Sequence, residues 1–318
     1  MQAKFEDDSA QFKLVAYVVS FFGSSVTVID LLKDEVIATI PIGRIAFDIA
    51  ITPNREFAYV TVASTNSVEV IDTKTNTVVK SIPVGVDPAD IAIAPDGRLA
   101  YVTDFDENNV YVIDLATNTV IDIIVSATFL NPQGVAVTPD GKRVFIINTG
   151  NDLVSVIDTK TNTVIGTVAV GNIPLDVAIT PDGQFAYVTN FFSRSVSMIH
   201  TPTITGVDTI RVGDGPDGIA ITPHGKHAYV VNEFEDTVSV IDLNINKVIQ
   251  TIPVGDEPVE IALTPNGKLA VVTNFNDDTI SIIDTRRNVV IKTLPAGDSP
   301  VSVAILASFG RRGDCCRE

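Results

Sequence analysis

Acidic residues occupy one position in four of the sequence repeats that fill this chain, two residues before a recurrent alanine. They are Asp48, Asp90, Asp176 and Glu260. Carboxylates gathered around one axis repel one another unless they bind a cation, share protons or stay hydrated. Clustered oxygen ligands suit a hard cation such as Ca²⁺ or Mg²⁺. The four residues are therefore candidate metal ligands, and hydrated carboxylates are the alternative.

A second group of candidates lies in the variable loops after the second apolar run of each repeat. The candidate ligand-binding residues are Phe105, Asp106, Phe191, Phe192, Glu233, Phe234, Phe275 and Asp277. Aromatic rings beside carboxylates suit a cationic small molecule, a peptide or a protein. The alternative is that the rings pack between repeats while the acids face water.

Residues for other kinds of catalysis are scarce. The three histidines are His200, His224 and His227, and two of them replace the aspartate of a turn motif. The sequence contains no Ser-His-Asp set, phosphate-binding loop or Cys/His zinc spacing. We therefore assign no catalytic residue, and the pattern favours a protein that is not an enzyme.

The elements that position these residues are four short apolar runs in every repeat. Residues 216–255 show them as GIAIT, AYVV, TVSVID and VIQTIPV, separated by turn-forming residues. Runs rich in Val, Ile and Thr predict β-strands. The proline of the first turn recurs at Pro53, Pro95, Pro139, Pro181, Pro223 and Pro265, with one step of 44 residues and four of 42. Four strands at this period are typical of a β-propeller.

The number of strands predicts how the ring closes. The first repeat, residues 14–43, has three strands, whereas residues 300–306 form a lone first strand. We expect this strand to complete blade 1 from inside, which leaves no open end. The chain is thus predicted to be all-β: a seven-bladed β-propeller with four antiparallel strands per blade. Blades 2 to 7 are expected at 46–85, 88–126, 132–171, 174–213, 216–255 and 258–297.

A recurrent alanine supports seven blades independently. It occurs once per repeat, at Ala50, Ala92, Ala136, Ala178, Ala220, Ala262 and Ala304. The innermost strands converge on the propeller axis, where small side chains fit.

The segments that flank the propeller, 1–11 and 308–318, are expected to be flexible, with the propeller at 12–307. The second flank is a basic tail that contains the adjacent cysteines Cys315 and Cys316. Neighbouring cysteines provide no disulfide framework for the fold.

The start of the second strand carries a family resemblance. Tyr101-Val102-Thr103-Asp104, Tyr187-Val188-Thr189-Asn190 and Tyr229-Val230-Val231-Asn232 resemble the YVTN repeat, with TPDG before it and VIDT after it. The chain is similar to YVTN-family seven-bladed propellers of prokaryotic surface-layer and YncE-like proteins. That resemblance implies the fold. It leaves the function open, because such propellers include binding modules and metal-dependent lactonases.

The net charge of −17 and the pI near 4.4 bound the possible partners. Such a chain repels nucleic-acid phosphates, so we expect no nucleic acid and a cationic partner instead. We expect no membrane span, because no run of eighteen apolar residues occurs. We also expect a monomer. The N-terminus as written shows no signal peptide, which predicts a cytoplasmic protein, or a secreted or cell-surface one if this is a mature form.

Three functional hypotheses remain. The first is a non-catalytic binding scaffold whose upper face holds a protein, a peptide or a small cationic ligand. The second is a metal-dependent hydrolase or lactonase with Ca²⁺ or Mg²⁺ at the channel mouth. The third is a structural module of the surface-layer type.

Overall fold

A computed structural model describes residues 13–308 of the protein. The predicted flexible segment 1–11, the adjacent cysteines and the tail after Ser308 lie outside the described residues. Within them the chain folds as an all-β, seven-bladed propeller, and each blade is a four-stranded antiparallel sheet. The predicted fold class is confirmed.

The strands follow the predicted repeat. Blade 1 begins with β1 (Lys13–Ser20), β2 (Ser25–Asp30) and β3 (Glu35–Pro41). Blade 2 contains β4 (Ala46–Ile51), β5 (Phe57–Val62), β6 (Ser67–Asp72) and β7 (Thr77–Pro83). Blade 3 contains β8 (Pro88–Ile93), β9 (Leu99–Asp104), β10 (Asn109–Asp114) and β11 (Thr119–Val125). Blade 4 contains β12 (Pro132–Val137), β13 (Arg143–Asn148), β14 (Leu153–Asp158) and β15 (Thr163–Ala169).

The second half of the ring repeats the same plan. Blade 5 contains β16 (Pro174–Ile179), β17 (Phe185–Asn190), β18 (Ser195–His200) and β19 (Thr205–Arg211). Blade 6 contains β20 (Pro216–Ile221), β21 (His227–Asn232), β22 (Thr237–Asp242) and β23 (Lys247–Pro253). Blade 7 contains β24 (Pro258–Leu263), β25 (Leu269–Asn274), β26 (Thr279–Asp284) and β27 (Val289–Pro295), and β28 (Pro300–Ser308) ends the described chain. Three single-turn 3₁₀ helices interrupt the loops at Ala63–Thr65, Phe191–Ser193 and Glu233–Glu235.

The last strand closes the ring as predicted. Strand β28 lies antiparallel to β1, with Ala304 opposite Tyr17, and the sheet order of blade 1 is β28-β1-β2-β3. The innermost strand of blade 1 therefore comes from the C-terminal part of the chain. Pairing of the two ends removes the free edges that an open ring of sheets would expose.

Apolar side chains from facing blades form the core. The buried cluster between blades 2 and 3, for example, joins Tyr59 and Val68 to Ile91 and Val102. The Tyr59 hydroxyl also donates a hydrogen bond to Asn118 Oδ1 in the next blade, at 2.6 Å. The recurrent tyrosine therefore packs between blades, and in blades 1, 2, 5 and 6 its hydroxyl also hydrogen bonds to an asparagine in a turn of the next blade.

The innermost strands share an irregularity that bears on the site. In β4 the register with β5 shifts between Ala46 and Ile49, so Asp48 lies in a β-bulge. A bulge leaves a residue outside the ladder and redirects its side chain. Among residues 13–308 no helix is long and apolar enough to cross a membrane.

Candidate functional site

One face of the propeller collects the variable loops, as predicted. The loops after each second strand and the connections between blades hydrogen bond to each other on this side, which we call the upper face. The Phe105 N–H, for instance, donates to the Asp87 carbonyl at 3.0 Å, and the Phe275 N–H donates to the Glu257 carbonyl at 2.9 Å.

A cavity of about 480 Å³ opens at the centre of the upper face, and we call it the mouth cavity. It brings together the four predicted acids of the innermost strands, Asp48, Asp90, Asp176 and Glu260, and two predicted loop residues, Glu233 and Phe275. Its other polar or aromatic lining residues are Phe21, Phe47, Gln133, Asp217, Glu257 and Ser302. Among the described residues, no Lys, Arg or His lines this cavity.

Three of the acids connect neighbouring blades. Each aspartate accepts a backbone N–H from the innermost strand of the next blade. The pairs are Ile91 to Asp48 at 3.2 Å, Val135 to Asp90 at 2.7 Å, and Ile219 to Asp176 at 2.9 Å. The hydroxyl of Ser302 in blade 1 also donates to Asp48 Oδ1 at 2.6 Å. We call Asp48, Asp90 and Asp176 the latch aspartates, because they join adjacent blades at the axis.

A threonine of the second strand supports each acid. Thr61 Oγ1 accepts the Asp48 N–H at 2.9 Å, and Thr103 Oγ1 accepts the Asp90 N–H at 3.1 Å. Thr189 and Thr273 do the same for Asp176 and Glu260, both at 3.0 Å. The N–H group in the bulge thereby finds an acceptor, as a buried backbone donor requires.

The blades without an acid lack this threonine, and this pairing is visible in the sequence. Gly134 faces Ile147, and Gly218 faces Val231 at the corresponding positions. A Cβ on Gly134 would lie 2.5 Å from the Leu175 carbonyl oxygen, so no side chain fits there. The correlation between an acid and a threonine on the adjacent strand distinguishes the four acids from the other repeats in the sequence alone.

Glu260 is the fourth acid of the set, and it makes no such connection to the next blade. Its carboxylate accepts the N–H of its own neighbour Ile261 at 2.7 Å. The same carboxylate reaches back over Gly218, where an added Cβ would lie 2.7 Å from Glu260 Oε1. The longer side chain of Glu260 thus occupies the space that Gly218 leaves free.

Four carboxyl groups on blades 6 and 7 consequently form a separate group, which we call the blade 6–7 acids: Asp217, Glu233, Glu257 and Glu260. All four line the mouth cavity, and none takes part in the latches between the innermost strands. Asp217 and Glu257 were missed in the sequence, because neither position carries an acid regularly from repeat to repeat.

The surroundings of two latch aspartates, Asp90 and Asp176, disfavour their charged forms. Burial raises the pKa of Asp90 well above its ordinary value, and the neighbouring charge and hydrogen bond of Asp48 raise it further. Burial also raises the pKa of Asp176 to about 6, although its two backbone N–H donors act in the opposite direction. A carboxyl that is taken out of water and placed beside another carboxyl holds its proton more tightly.

The same effect is seen at three of the blade 6–7 acids, Asp217, Glu233 and Glu260. Burial raises the pKa of Asp217 well above its ordinary value, and the charges of Glu233 and Asp176 add to it. Burial and the Asp176 charge likewise raise the pKa of Glu260. Burial and the charge of Glu257 raise the pKa of Glu233 to about 7. A bound cation would favour the ionised forms of these carboxyls, which would then release their protons to solvent.

The phenylalanines of the upper face form two clusters. Phe21 contacts Phe22, Phe47 and Phe275 edge-on or tilted, with ring centroids 4.8, 5.4 and 6.3 Å away. On blades 5 and 6, Phe191 contacts Phe192 at 5.1 Å and Phe234 at 5.0 Å. We call these two groups the blade 7–1–2 cluster and the blade 5–6 cluster. The first lines the mouth cavity through Phe21, Phe47 and Phe275.

Six predicted ligand residues do not line the cavity. They are Phe191, Phe192 and Phe234 of the blade 5–6 cluster, together with Phe105, Asp106 and Asp277. Phe105 is partly buried, and its carbonyl accepts a hydrogen bond from Asn131 at 3.1 Å. Asp106 is exposed. Asp277 is exposed too, and its carboxylate accepts the Asp256 N–H at 2.9 Å, so it supports a blade connection. Their proposed roles in ligand binding stay predictions.

The mouth cavity does not fit a resident metal ion as it stands. Ca²⁺ and Mg²⁺ need several oxygen ligands that converge on one point. Within the described residues, no three Asp, Glu, His or Cys side chains are arranged in that way. Backbone N–H donors already occupy both carboxylate oxygens of Asp90 and of Asp176. The metal hypothesis stays a prediction that this arrangement does not support.

Comparison with known families agrees with the fold. The family model described as "Lactonase, 7-bladed beta-propeller" matches residues 205–288, which span blade 6 and most of blade 7. The match covers less than half of the chain. No curated protein matches this sequence.

Several solved structures share the architecture. Kuenenia stuttgartiensis hydrazine synthase is 25% identical, with a TM-score of 0.76 over 82% of this chain and 90% of that one. A functionally unknown protein from Desulfotomaculum acetoxidans is 20% identical, with a TM-score of 0.81 over 92% and 98%. A candidate 6-phosphogluconolactonase from Bacteroides uniformis is 17% identical, with a TM-score of 0.77 over 93% and 99%. At these identities the likeness concerns the fold.

Proposed function

We propose that this propeller is a non-catalytic binding protein that holds a cationic ligand in the mouth cavity. The observation that carries the proposal is the set of blade 6–7 acids, which line a cavity of about 480 Å³ without an accompanying basic side chain among the described residues. Phe21 and Phe275 line the same cavity and offer aromatic surface for a cation or for its apolar substituents.

The difference between the latch aspartates and the blade 6–7 acids indicates which carboxyls a ligand would contact. The latch aspartates already accept hydrogen bonds on both oxygens, so a ligand that took them would compete with the blade contacts. Asp217 differs from them, because no hydrogen bond from the described chain offsets the effects that raise its pKa. Such a carboxyl gains most from an ammonium group, which donates hydrogen bonds and neutralises charge.

Proton exchange should accompany binding. A cation favours the ionised form of Glu233, whose pKa is raised to about 7, so binding at neutral pH releases protons. The affinity should therefore rise between pH 5 and pH 8, by about tenfold for each unit by which binding lowers the pKa of Glu233.

Titration calorimetry with benzylammonium tests the proposal, with benzyl alcohol as the uncharged match. We expect benzylammonium to bind and benzyl alcohol to bind at least about tenfold more weakly, since a neutral hydroxyl replaces the charged ammonium on the same benzyl group. The combined variant Asp217→Asn and Glu233→Gln should lose the preference. Equal binding of the two compounds by the native protein would contradict the proposal.

Hydrolysis of a lactone is a second candidate, favoured by the family match over residues 205–288. That segment contains all four blade 6–7 acids, and buried carboxyls of raised pKa can act as general acids. A phosphorylated lactone is the less suitable substrate, because its phosphate would meet carboxyls and no described basic side chain in the cavity. Hydrolysis of glucono-δ-lactone, with and without added Mg²⁺ or Ca²⁺, should exceed the spontaneous rate and fall in Glu260→Gln if this candidate is right.

We also propose that the repeats belong to the YVTN type. The tyrosines and threonines of that motif fill defined positions: Tyr59 reaches the next blade, and Thr61 supports Asp48. A surface-layer role stays a prediction. It requires that substitutions throughout the mouth cavity leave function intact, whereas the binding proposal requires that they abolish it.

A further inference from the structure

Exposed apolar side chains surround the acidic mouth cavity on the upper face. The large ones are Phe22, Ile45, Val86, Leu130, Phe192 and Phe234, between 39% and 65% exposed. In the turns of the opposite face, the described residues expose two large apolar side chains, Leu32 and Ile245. Apolar residues gathered on one face and rimmed by charge are typical of a surface that binds a partner.

The blade 5–6 cluster is the most exposed part of this surface, and it is held in a fixed geometry. Phe192 is 65% exposed and Phe234 is 57% exposed. Both rings contact the ring of Phe191, which is less exposed. Phe234 lies over Gly215, which has a φ of +66° and where an added Cβ would approach the ring to 3.1 Å. Aromatic side chains that are ordered before binding lose little entropy in an interface.

The same short turn joins this cluster to the mouth cavity. Glu233–Glu235 is a single 3₁₀ turn in which Glu233 lines the cavity and the next residue, Phe234, points its ring to solvent. The preceding blade connection places Asp217 in the cavity two residues after Gly215. A cation-binding group and an exposed aromatic surface are therefore adjacent.

The charge around the cluster indicates what kind of partner fits. Glu235 and Asp236 on the same turn are exposed. Arg194 in the loop that carries Phe191 and Phe192 is already paired with Asp214 through two hydrogen bonds. An acidic surface with exposed phenylalanines complements a basic and apolar partner. A small amine would use the cavity and leave the phenylalanines uncovered.

We propose that the upper face docks a polypeptide segment in which a lysine or arginine lies next to an aromatic or aliphatic residue. The basic side chain enters the mouth cavity towards the blade 6–7 acids, and its apolar neighbour covers the blade 5–6 cluster. This inference rests on the proposed function, because the cation site is the same, and it adds the chemical class of the ligand.

Two probes test this inference separately from the proposed function on which it rests. One is the acetylated peptide amide Gly-Leu-Lys-Phe-Gly, and the other is benzylammonium, which reaches only the cavity. In the double variant Phe192→Ser and Phe234→Ser, we expect the peptide to bind about tenfold more weakly and benzylammonium to bind as it does to the native protein. The control variant Leu32→Ser and Ile245→Ser removes the exposed apolar groups of the opposite face and should bind both probes normally.

Each outcome has a clear meaning. If the phenylalanine variant binds the peptide with native affinity, the inference is wrong. If that variant still binds benzylammonium, the cation site stands. The inference is also wrong if the native protein binds the same peptide equally well after acetylation of its lysine side chain. Failure of both probes to bind the native protein would overturn the inference together with the proposed function.

Discussion

Carboxyl groups at the two faces of the propeller have opposite pKa shifts. In the lower-face turns, Asp72 is exposed enough to stay hydrated, and it accepts the N–H groups of Lys74 and Thr75 at 2.8 and 2.9 Å, which lowers its pKa. At the mouth cavity, burial and neighbouring carboxyls raise the pKa of Asp90 and Asp217. A carboxylate that recurs in the repeats therefore has no fixed role. Its solvation and its hydrogen-bond donors decide whether it is ionised.

Removal of the closing strand β28 should lower the stability of the protein most, because it opens the ring at the mouth cavity. The turns of the lower face keep all their residues in this deletion. Deletion of residues 300–318 removes β28, including Ser302, and exposes the edge of β1. We expect aggregation or loss of cooperative unfolding in a thermal melt. The matched control deletes only 309–318, and an equal melting temperature for both truncated proteins would contradict the assigned closure.

Loss of a latch aspartate should have the next largest effect. Asp90→Ala leaves the N–H groups of Ile91 and Val135 without their carboxylate acceptor. Buried donors without partners cost about 1–3 kcal/mol, so the free energy of unfolding at pH 6 should fall by about that amount. Asp217→Ala removes a mouth carboxyl that is not a latch and should cost clearly less. If urea unfolding shows the same loss of unfolding free energy for Asp90→Ala and Asp217→Ala, the distinction between latch aspartates and blade 6–7 acids is wrong.

A smaller effect with the opposite sign is expected for Asp217→Asn. A carboxyl of raised pKa stabilises the fold below its unfolded pKa, and that contribution is lost as the pH rises through the folded pKa. Asparagine abolishes the ionisation, so the variant should melt about 2 °C higher than the native protein at pH 8 and at the same temperature at pH 4. Glu233 and Asp176 contribute to the raised pKa of Asp217, and the charge of Asp217 in turn raises the pKa of Glu260. A variant that is less stable than the native protein at pH 8 would contradict the assignment.

The smallest effect is expected at the lower face, with the reverse pH dependence. Asp72 has a lowered pKa, so its contribution to stability exists above the unfolded pKa and disappears as the pH falls through the folded pKa. Asp72→Ala should melt about 1 °C lower than the native protein at pH 7, and the gap should close as the pH falls through the folded pKa of Asp72. A gap that persists at low pH would show that the carboxylate charge is not what stabilises the turn.

The sequence predicts what the repeats share. Period, strand count and the lone last strand were sufficient for the seven blades and their closure by β28. The position of Asp48 before Ala50 placed the acids of the innermost strands at the mouth cavity, and the structure places all four there.

The part that the sequence did not predict lies where the repeats differ. The position of Asp217 is held in the other blades by Phe47, Ala89, Gln133, Leu175, Val259 and Val301. No pattern of residue types reveals that this position lines the mouth cavity. The hydrogen bonds between blades were also missed, because Asp90 and Val135 are 45 residues apart and meet only through the curvature of the ring.

The pKa of Glu233, measured by carboxyl NMR with and without benzylammonium, tests the central claim most directly. We predict titration near pH 7 in the free protein, because the side chain is desolvated beside Glu257. Saturating benzylammonium should lower this pKa by about one unit or more, since a bound cation favours the ionised carboxylate. An ordinary glutamate pKa in the free protein, or one that benzylammonium leaves unchanged, would contradict a cation site at the blade 6–7 acids.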